Sequence, residues 1–166
     1  ISDRAGNPSF WGGDYVGRMR AELGGDVCRK LAIFELPDGF LLSVVVPVFN
    51  ESGTVASVVD RLRATGLPLQ IILVDDGSKD GTLEAMSILE RDPDVTVIVH
   101  EHNRGKGAAI RSGFAKATGD IVVIQDADRE YDPSDFRYLL QPLIAGEADV
   151  AYGTRYGHYD RQLSPW

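Results

Sequence analysis

From Leu41 onward the chain exchanges one hydrophobic period for another in regular turn. Residues 43–48, Ser-Val-Val-Val-Pro-Val, form a nearly unbroken β-branched run, the pattern of a strand covered on both faces. Residues 54–65 change to helical spacing, with Val55, Val58, Val59 and Leu62 on one stripe. The exchange then repeats. Strands are expected at 69–74, 95–99, 121–124 and 148–152, and helices at 82–91, 106–117 and 134–144. Asp80 is a candidate cap for the second helix, Pro133 marks the turn before the fourth, and Pro142 is expected to bend its end. Strand and helix alternating in this way predict an α/β layered fold with a mostly parallel sheet.

The first forty residues follow no such period. They are rich in glycine and scattered aromatics, with a short helix expected at 15–23 and an edge strand or docking segment at 31–36. Three regions result: an extension at 1–40 that packs on the main domain, the main domain at 41–157, and the start of a further, acceptor-side segment at 158–166. No internal repeat or low-complexity stretch interrupts them.

Composition narrows the classes. With 166 residues and 43% apolar side chains, the chain can bury a core of its own. Its net charge of −8, from 17 basic and 25 acidic residues, argues against nucleic acid as a partner, because phosphate attraction needs clustered Lys and Arg. Cys28 is the sole cysteine, so no internal disulfide forms; this fits a reducing, cytoplasmic compartment, and a lone cysteine reads first as a small buried hydrophobe. No apolar run approaches the ~18–20 residues that span a bilayer, and the first residues lack the pattern of a signal peptide. Peripheral contact with the cytoplasmic face of a membrane stays open.

In an open parallel sheet, ligands bind beyond the carboxyl ends of the strands. Polar residues cluster after every expected strand: Asn50-Glu51, Asp75-Asp76-Gly77-Ser78, residues 100–106, residues 125–130, and Gly153-Thr154-Arg155. The sharpest group is Asp126-Ala127-Asp128. Two carboxylates one residue apart at the end of a buried strand can converge on one hard cation, Mg²⁺ or Mn²⁺, with Glu130 as a third ligand and phosphate oxygens completing the shell. Such a cation would neutralise a departing diphosphate. The competing reading is a solvated turn. Asp75 and Asp76 either accept from a nucleobase or ribose, or cap and shape the Asp-Asp-Gly-Ser turn. Asn103-Arg104-Gly105-Lys106-Gly107 opens a helix, where free N–H groups and positive side chains suit an anion, although the spacing is not that of a Walker A loop. Arg155 can reach a phosphate or be an ordinary surface residue. His100, His102 and His158 have no metal-ligand spacing and are expected to be surface or loop residues.

Five segments taken in order, residues 43–51, 72–78, 103–109, 126–128 and 152–155, resemble family 2 glycosyltransferases of the GT-A fold. The nearest likeness is to the polyprenyl-phosphate group, dolichol-phosphate mannosyltransferase among them. The resemblance covers about residues 41–157 and implies a three-layer α/β/α, Rossmann-like nucleotide-sugar domain. It implies that Pro47, Asn50 and Glu51 line the nucleoside pocket and that Asp75 and Asp76 hold base and ribose. Lys106 lies near the nucleotide, Asp126 and Asp128 bind metal and donor diphosphate, Glu130 stands close to the metal, and Arg155 approaches a phosphate. Arg129 departs from the pattern, standing where many relatives carry Leu.

The implied reaction moves a sugar from a nucleoside-diphosphate sugar, GDP-mannose or a UDP-hexose, to a polyprenyl (dolichyl or undecaprenyl) phosphate with single inversion. Asp128 and Arg155 carry the catalytic roles. A phosphate acceptor is already ionised near neutral pH, with a second pKa of about 6, and needs no general base. Three other classes compete: a nucleotide-sugar-binding module without transfer, an Asp-nucleophile phosphatase, and a receiver domain. The phosphatase reading wants Thr or Val where Glu130 stands, and a receiver domain leaves Asn50-Glu51 and residues 103–107 unexplained. The oligomeric state has no signature in the sequence.

Overall fold

The computed structural model of the chain describes residues 11–153. Their order is α1 (Gly13–Leu23), α2 (Gly25–Lys30), β1 (Leu42–Val48), α3 (Val55–Ala64), β2 (Leu69–Asp75), α4 (Thr82–Leu89), β3 (Val95–Val99), α5 (Lys106–Phe114), β4 (Ile121–Ile124) and, after a 3-10 turn at Pro133–Asp135, α6 (Phe136–Ile144). The strands form one sheet in the order β3-β2-β1-β4, and every pairing is parallel. The expected strand at 43–48 begins one residue earlier, and helix 106–117 closes as α5 three residues sooner.

That order explains the layers. From β1 through β2 to β3 the chain steps in one direction, and right-handed crossovers keep α3 and α4 on one face. From β3 to β4 it returns across β1 and β2, and the same handedness puts α5 on the opposite face. Alternation along the strands fits both. Val44, Val46, Ile71 and Leu73 enter the large core with Val55, Val58, Val59, Leu62 and Met86. Val45, Ile72 and Val74 form a small second core with Ala109 of α5. Helix and sheet come very close there, because a Cβ on Gly113 would lie 2.3 Å from Val45 Cγ1.

One expected strand is absent. Residues 148–152 form no strand. Val150 is 62% exposed and Tyr152 90%, and neither pairs with β4; a short apolar run without a ladder partner has nothing to hold it extended. Of the two forms expected of residues 31–36, edge strand or docking segment, they take the second, with Ala32 and Phe34 buried in the large core. Trp11 fixes that docking by stacking at a tilt on Phe34, with centroids 5.4 Å apart, and by donating its indole N–H to Thr65 O at 3.1 Å. The expected helix at 15–23 begins two residues earlier, and α2, which holds the buried Cys28, lies where no helix was expected.

Candidate functional site

Reversal of direction between β1 and β4 opens a crevice at the carboxyl end of the sheet, where open α/β sheets hold ligands. A cleft of about 280 Å³ lies there. Pro47, Val48, Phe49 and Glu51 line it from the end of β1, Asp76 from β2, and Asn103, Lys106 and Ala109 from the loop and helix after β3. Asp126, Ala127 and Asp128 complete it from the end of β4.

The Asp-Ala-Asp segment is aimed by its middle residue. Ala127 is buried in the large core, so the two flanking carboxylates turn toward the cleft. Asp128 Oδ1 accepts from Glu130 N at 3.0 Å, a turn made possible by the left-handed backbone of Arg129, φ +66°. Asp126 Oδ1 lies 2.5 Å from Lys106 Nζ. Glu130 is exposed and outside the cleft lining. Among the described residues no three His, Cys, Asp or Glu side chains converge to hold a metal alone. The residues nevertheless fit a hard divalent cation, which takes one or two carboxylates and completes its shell with phosphate oxygens and water.

Asp76 is the best-held carboxylate of the site. Its Oδ1 accepts from His100 Nδ1 at 2.6 Å and from Arg104 N at 3.0 Å, and its Oδ2 accepts from Gly105 N at 2.7 Å. Burial alone would raise this carboxyl. The hydrogen bonds from His100, Arg104 and Gly105 outweigh that and hold it below the ordinary carboxylate value. An ionised carboxylate has no proton to give, so His100 donates through Nδ1, while its Nε2 meets Ser112 Oγ at 2.9 Å. His100 is thus buried, at 6% exposure, rather than the surface residue expected; His102 is exposed, and His158 lies outside the described residues. Two amides that were expected to be free for an anion, those of Arg104 and Gly105, are consumed by Asp76. Gly77 lets the loop come so near: its φ is +78°, and a Cβ there would lie 2.8 Å from Asn103 N.

Asn50 and Asp75 stand behind the lining. Asn50, itself left-handed at φ +56°, donates its N–H to Ser78 Oγ at 2.9 Å and accepts from Lys79 N at 3.0 Å, tying the loop after β1 to the loop after β2. Glu51 N donates to Thr82 Oγ1 at 2.8 Å, and its carboxylate accepts from Thr54 Oγ1. Asp80 caps α4 from one residue outside, accepting from Thr82 N at 3.1 Å. Asp75 is buried; Oδ2 accepts from Ser78 N at 3.2 Å and Oδ1 has no hydrogen-bond partner among the described residues. Arg155 lies outside the described residues. Sequence reading missed Val48, Phe49 and Ala109 as lining; Asn103 was named in the helix-opening segment suited to an anion. Phe49 alone carried a signal, an aromatic directly after a buried strand, and it is 47% exposed.

A parallel sheet with an acidic cleft at its direction-reversing edge puts the chain among the ligand-holding layered α/β proteins. The profile of glycosyl transferase family 2 matches residues 43–166, and the chain belongs to that family. The α/β/α architecture is the GT-A fold. Among curated relatives, the chain is 36% identical over 132 residues to undecaprenyl-phosphate 4-deoxy-4-formamido-L-arabinose transferase of Pseudomonas aeruginosa, covering 76% of this chain and 38% of the relative. The namesake from Pectobacterium carotovorum is 36% identical over 111 residues, covering 63% and 34%. The chain therefore spans well under half the length of these relatives. Two solved structures are similar at 26% identity and a TM-score of 0.55. The mannosyltransferase PcManGT from Pyrobaculum calidifontis, in complex with GDP-Man and Mn2+, covers 77% of this chain and 42% of its own. Glucosyl-3-phosphoglycerate synthase from Mycobacterium tuberculosis, in complex with UDP, covers 89% and 48%.

Proposed function

We propose that the cleft holds the diphosphate of a nucleoside-diphosphate sugar through a divalent cation, and that the protein transfers the sugar, with inversion, to a polyprenyl phosphate. The carrying observation is the charge of the lining. Among the described residues, four lining carboxylates, Glu51, Asp76, Asp126 and Asp128, face a single ammonium, Lys106. A bare diphosphate is repelled by such a surface, whereas a cation between carboxylates and phosphate reconciles the two charges.

In this reading Asp126 and Asp128 hold Mg²⁺ or Mn²⁺, and Glu130 stays outside the ligand set. The cation supplies charge neutralisation of the departing diphosphate. Pro47 and Glu51 border the nucleoside, and Asn50 positions their loop from behind. Asp76 holds the loop that carries Asn103 and Lys106 against the opposite wall. Asp75 Oδ1, a buried acceptor without a partner among the described residues, suits an N–H of the base or a ribose hydroxyl, since leaving it unpaired costs about 1–3 kcal/mol. Lys106 and Arg155 meet phosphate oxygens. The named relatives act on undecaprenyl phosphate, which supports a lipid phosphate as acceptor. With a second pKa of about 6, its oxygen attacks the anomeric carbon without a protein base. A lipid phosphate presents its headgroup at a membrane face; among the described residues no helix is long and apolar enough to cross a membrane.

The test is calorimetric titration of the chain with UDP and GDP, each with and without Mn²⁺, followed by transfer assays with the matching sugar nucleotides and undecaprenyl phosphate. Metal-dependent binding of one nucleotide is expected and names the base. Asp128→Asn should retain the fold by circular dichroism and lose transfer on the order of a hundredfold or more. Undiminished turnover in that variant would refute the role of Asp128. Nucleotide binding with no transfer to any lipid phosphate would leave a binding module.

A further inference from the structure

Lys106 and Asp126 pose a question that the donor site alone does not answer. The ammonium sits 2.5 Å from Asp126 Oδ1, on a carboxylate assigned above to a metal ion. The two side chains reach each other from opposite walls, Lys106 from the first position of α5 and Asp126 from just beyond β4. The carboxylate is 20% exposed and the lysine 57%, so the lysine end of the pair is the free one to leave. A lysine has a compact charge on a flexible four-carbon stem and exchanges one anion for another at little conformational cost.

We infer that Lys106 is an internal competitor for the metal position, and that it makes metal binding depend on the nucleotide. Without nucleotide it neutralises Asp126 and weakens cation binding. When a diphosphate enters, its oxygens draw the ammonium away and release Asp126 to the cation. Nucleotide and metal therefore load cooperatively, and neither is held well alone. The inference rests on the donor-site reading above and assigns Lys106 a role as the coupling residue of that site. By linkage, the factor by which nucleotide tightens metal binding equals the factor by which metal tightens nucleotide binding.

The experiment measures Mn²⁺ affinity by the electron paramagnetic resonance of free Mn²⁺, with and without saturating UDP or GDP, for the parent chain, Lys106→Met and Arg104→Met. Lys106→Met should bind Mn²⁺ about three- to tenfold more tightly without nucleotide, as expected for loss of a partly exposed ion pair. Its nucleotide-to-metal coupling factor should fall by a similar ratio. Arg104→Met removes an equal charge two residues away and should leave both quantities at the parent values. An unchanged coupling factor in Lys106→Met, or an equal shift in Arg104→Met, overturns the inference and leaves the donor site standing. Absence of Mn²⁺ binding in all three chains, with and without nucleotide, overturns the donor-site reading itself, and the inference with it.

Discussion

At the scale of single residues, Asp76 shows what a sequence conceals. Its type and place after a strand were legible, and base binding or turn shaping were the two readings on offer. The structure gives it two backbone amides and a buried histidine as partners, the nearest of them 24 residues away along the chain. No local pattern announces a contact of that reach. His100 was misread for the same reason, since a histidine after a strand looks solvated until its carboxylate is known. We expect Asp76→Asn to cost about 2–3 kcal/mol in urea unfolding, because the replacement amide turns donors toward donors. The acid limb follows from the sign of the shift. The folded-state carboxyl lies below the ordinary value of about 3.9, so protons bind the unfolded chain first. Its stabilisation is complete above the unfolded value and is lost as pH falls from about 4 through the folded one. Unfolding midpoints between pH 5 and 3 should fall more steeply in the parent chain than in Asp76→Asn.

At the scale of elements, hydrophobic period was a reliable guide wherever a strand had a ladder partner, whether one, as at the edges β3 and β4, or two. β1 to β4 were all foreseen, and so was each connecting helix, because burial on two faces or one stripe leaves a periodic trace. The trace misled at 148–152, where an apolar run has no strand to pair with, and it was silent at α2, too short and polar to show a stripe. The Asp126-Ala127-Asp128 segment was legible because it closely follows an apolar run, although that run, expected to be buried, is an edge strand with Val122 38% and Ile124 43% exposed. Its geometry depended on one more fact, the burial of Ala127. The joint between α5 and β1 offers a quantitative check. Gly113→Ala places a methyl against Val45 and should destabilise by about 1–3 kcal/mol. Combining it with Val45→Ala should recover part of that loss, giving a non-additive double-mutant cycle by thermal or urea unfolding.

At the scale of the whole molecule, the site is a product of topology. The reversal in strand order sets the acidic segment after β4 beside the loop after β1, and α5 brings Lys106 in from a third direction. Charge distribution follows: a chain of net −8 keeps one lysine at the centre of its acidic cleft. Order along the sequence revealed the edge at which these groups gather, since each expected strand ended in polar residues. It did not reveal which carboxylates face the cleft and which are consumed in holding it together.

The clasp of Asp76 on the loop after β3 has a consequence for hydrogen exchange. Arg104 and Gly105 are exposed residues, and amides in exposed loops normally trade their protons with water freely. Here both N–H groups are donated to a buried carboxylate, so their protons should exchange as slowly as those of β2. In Asp76→Asn that slow pair should revert to the rate of an ordinary loop, well before the strands show any change.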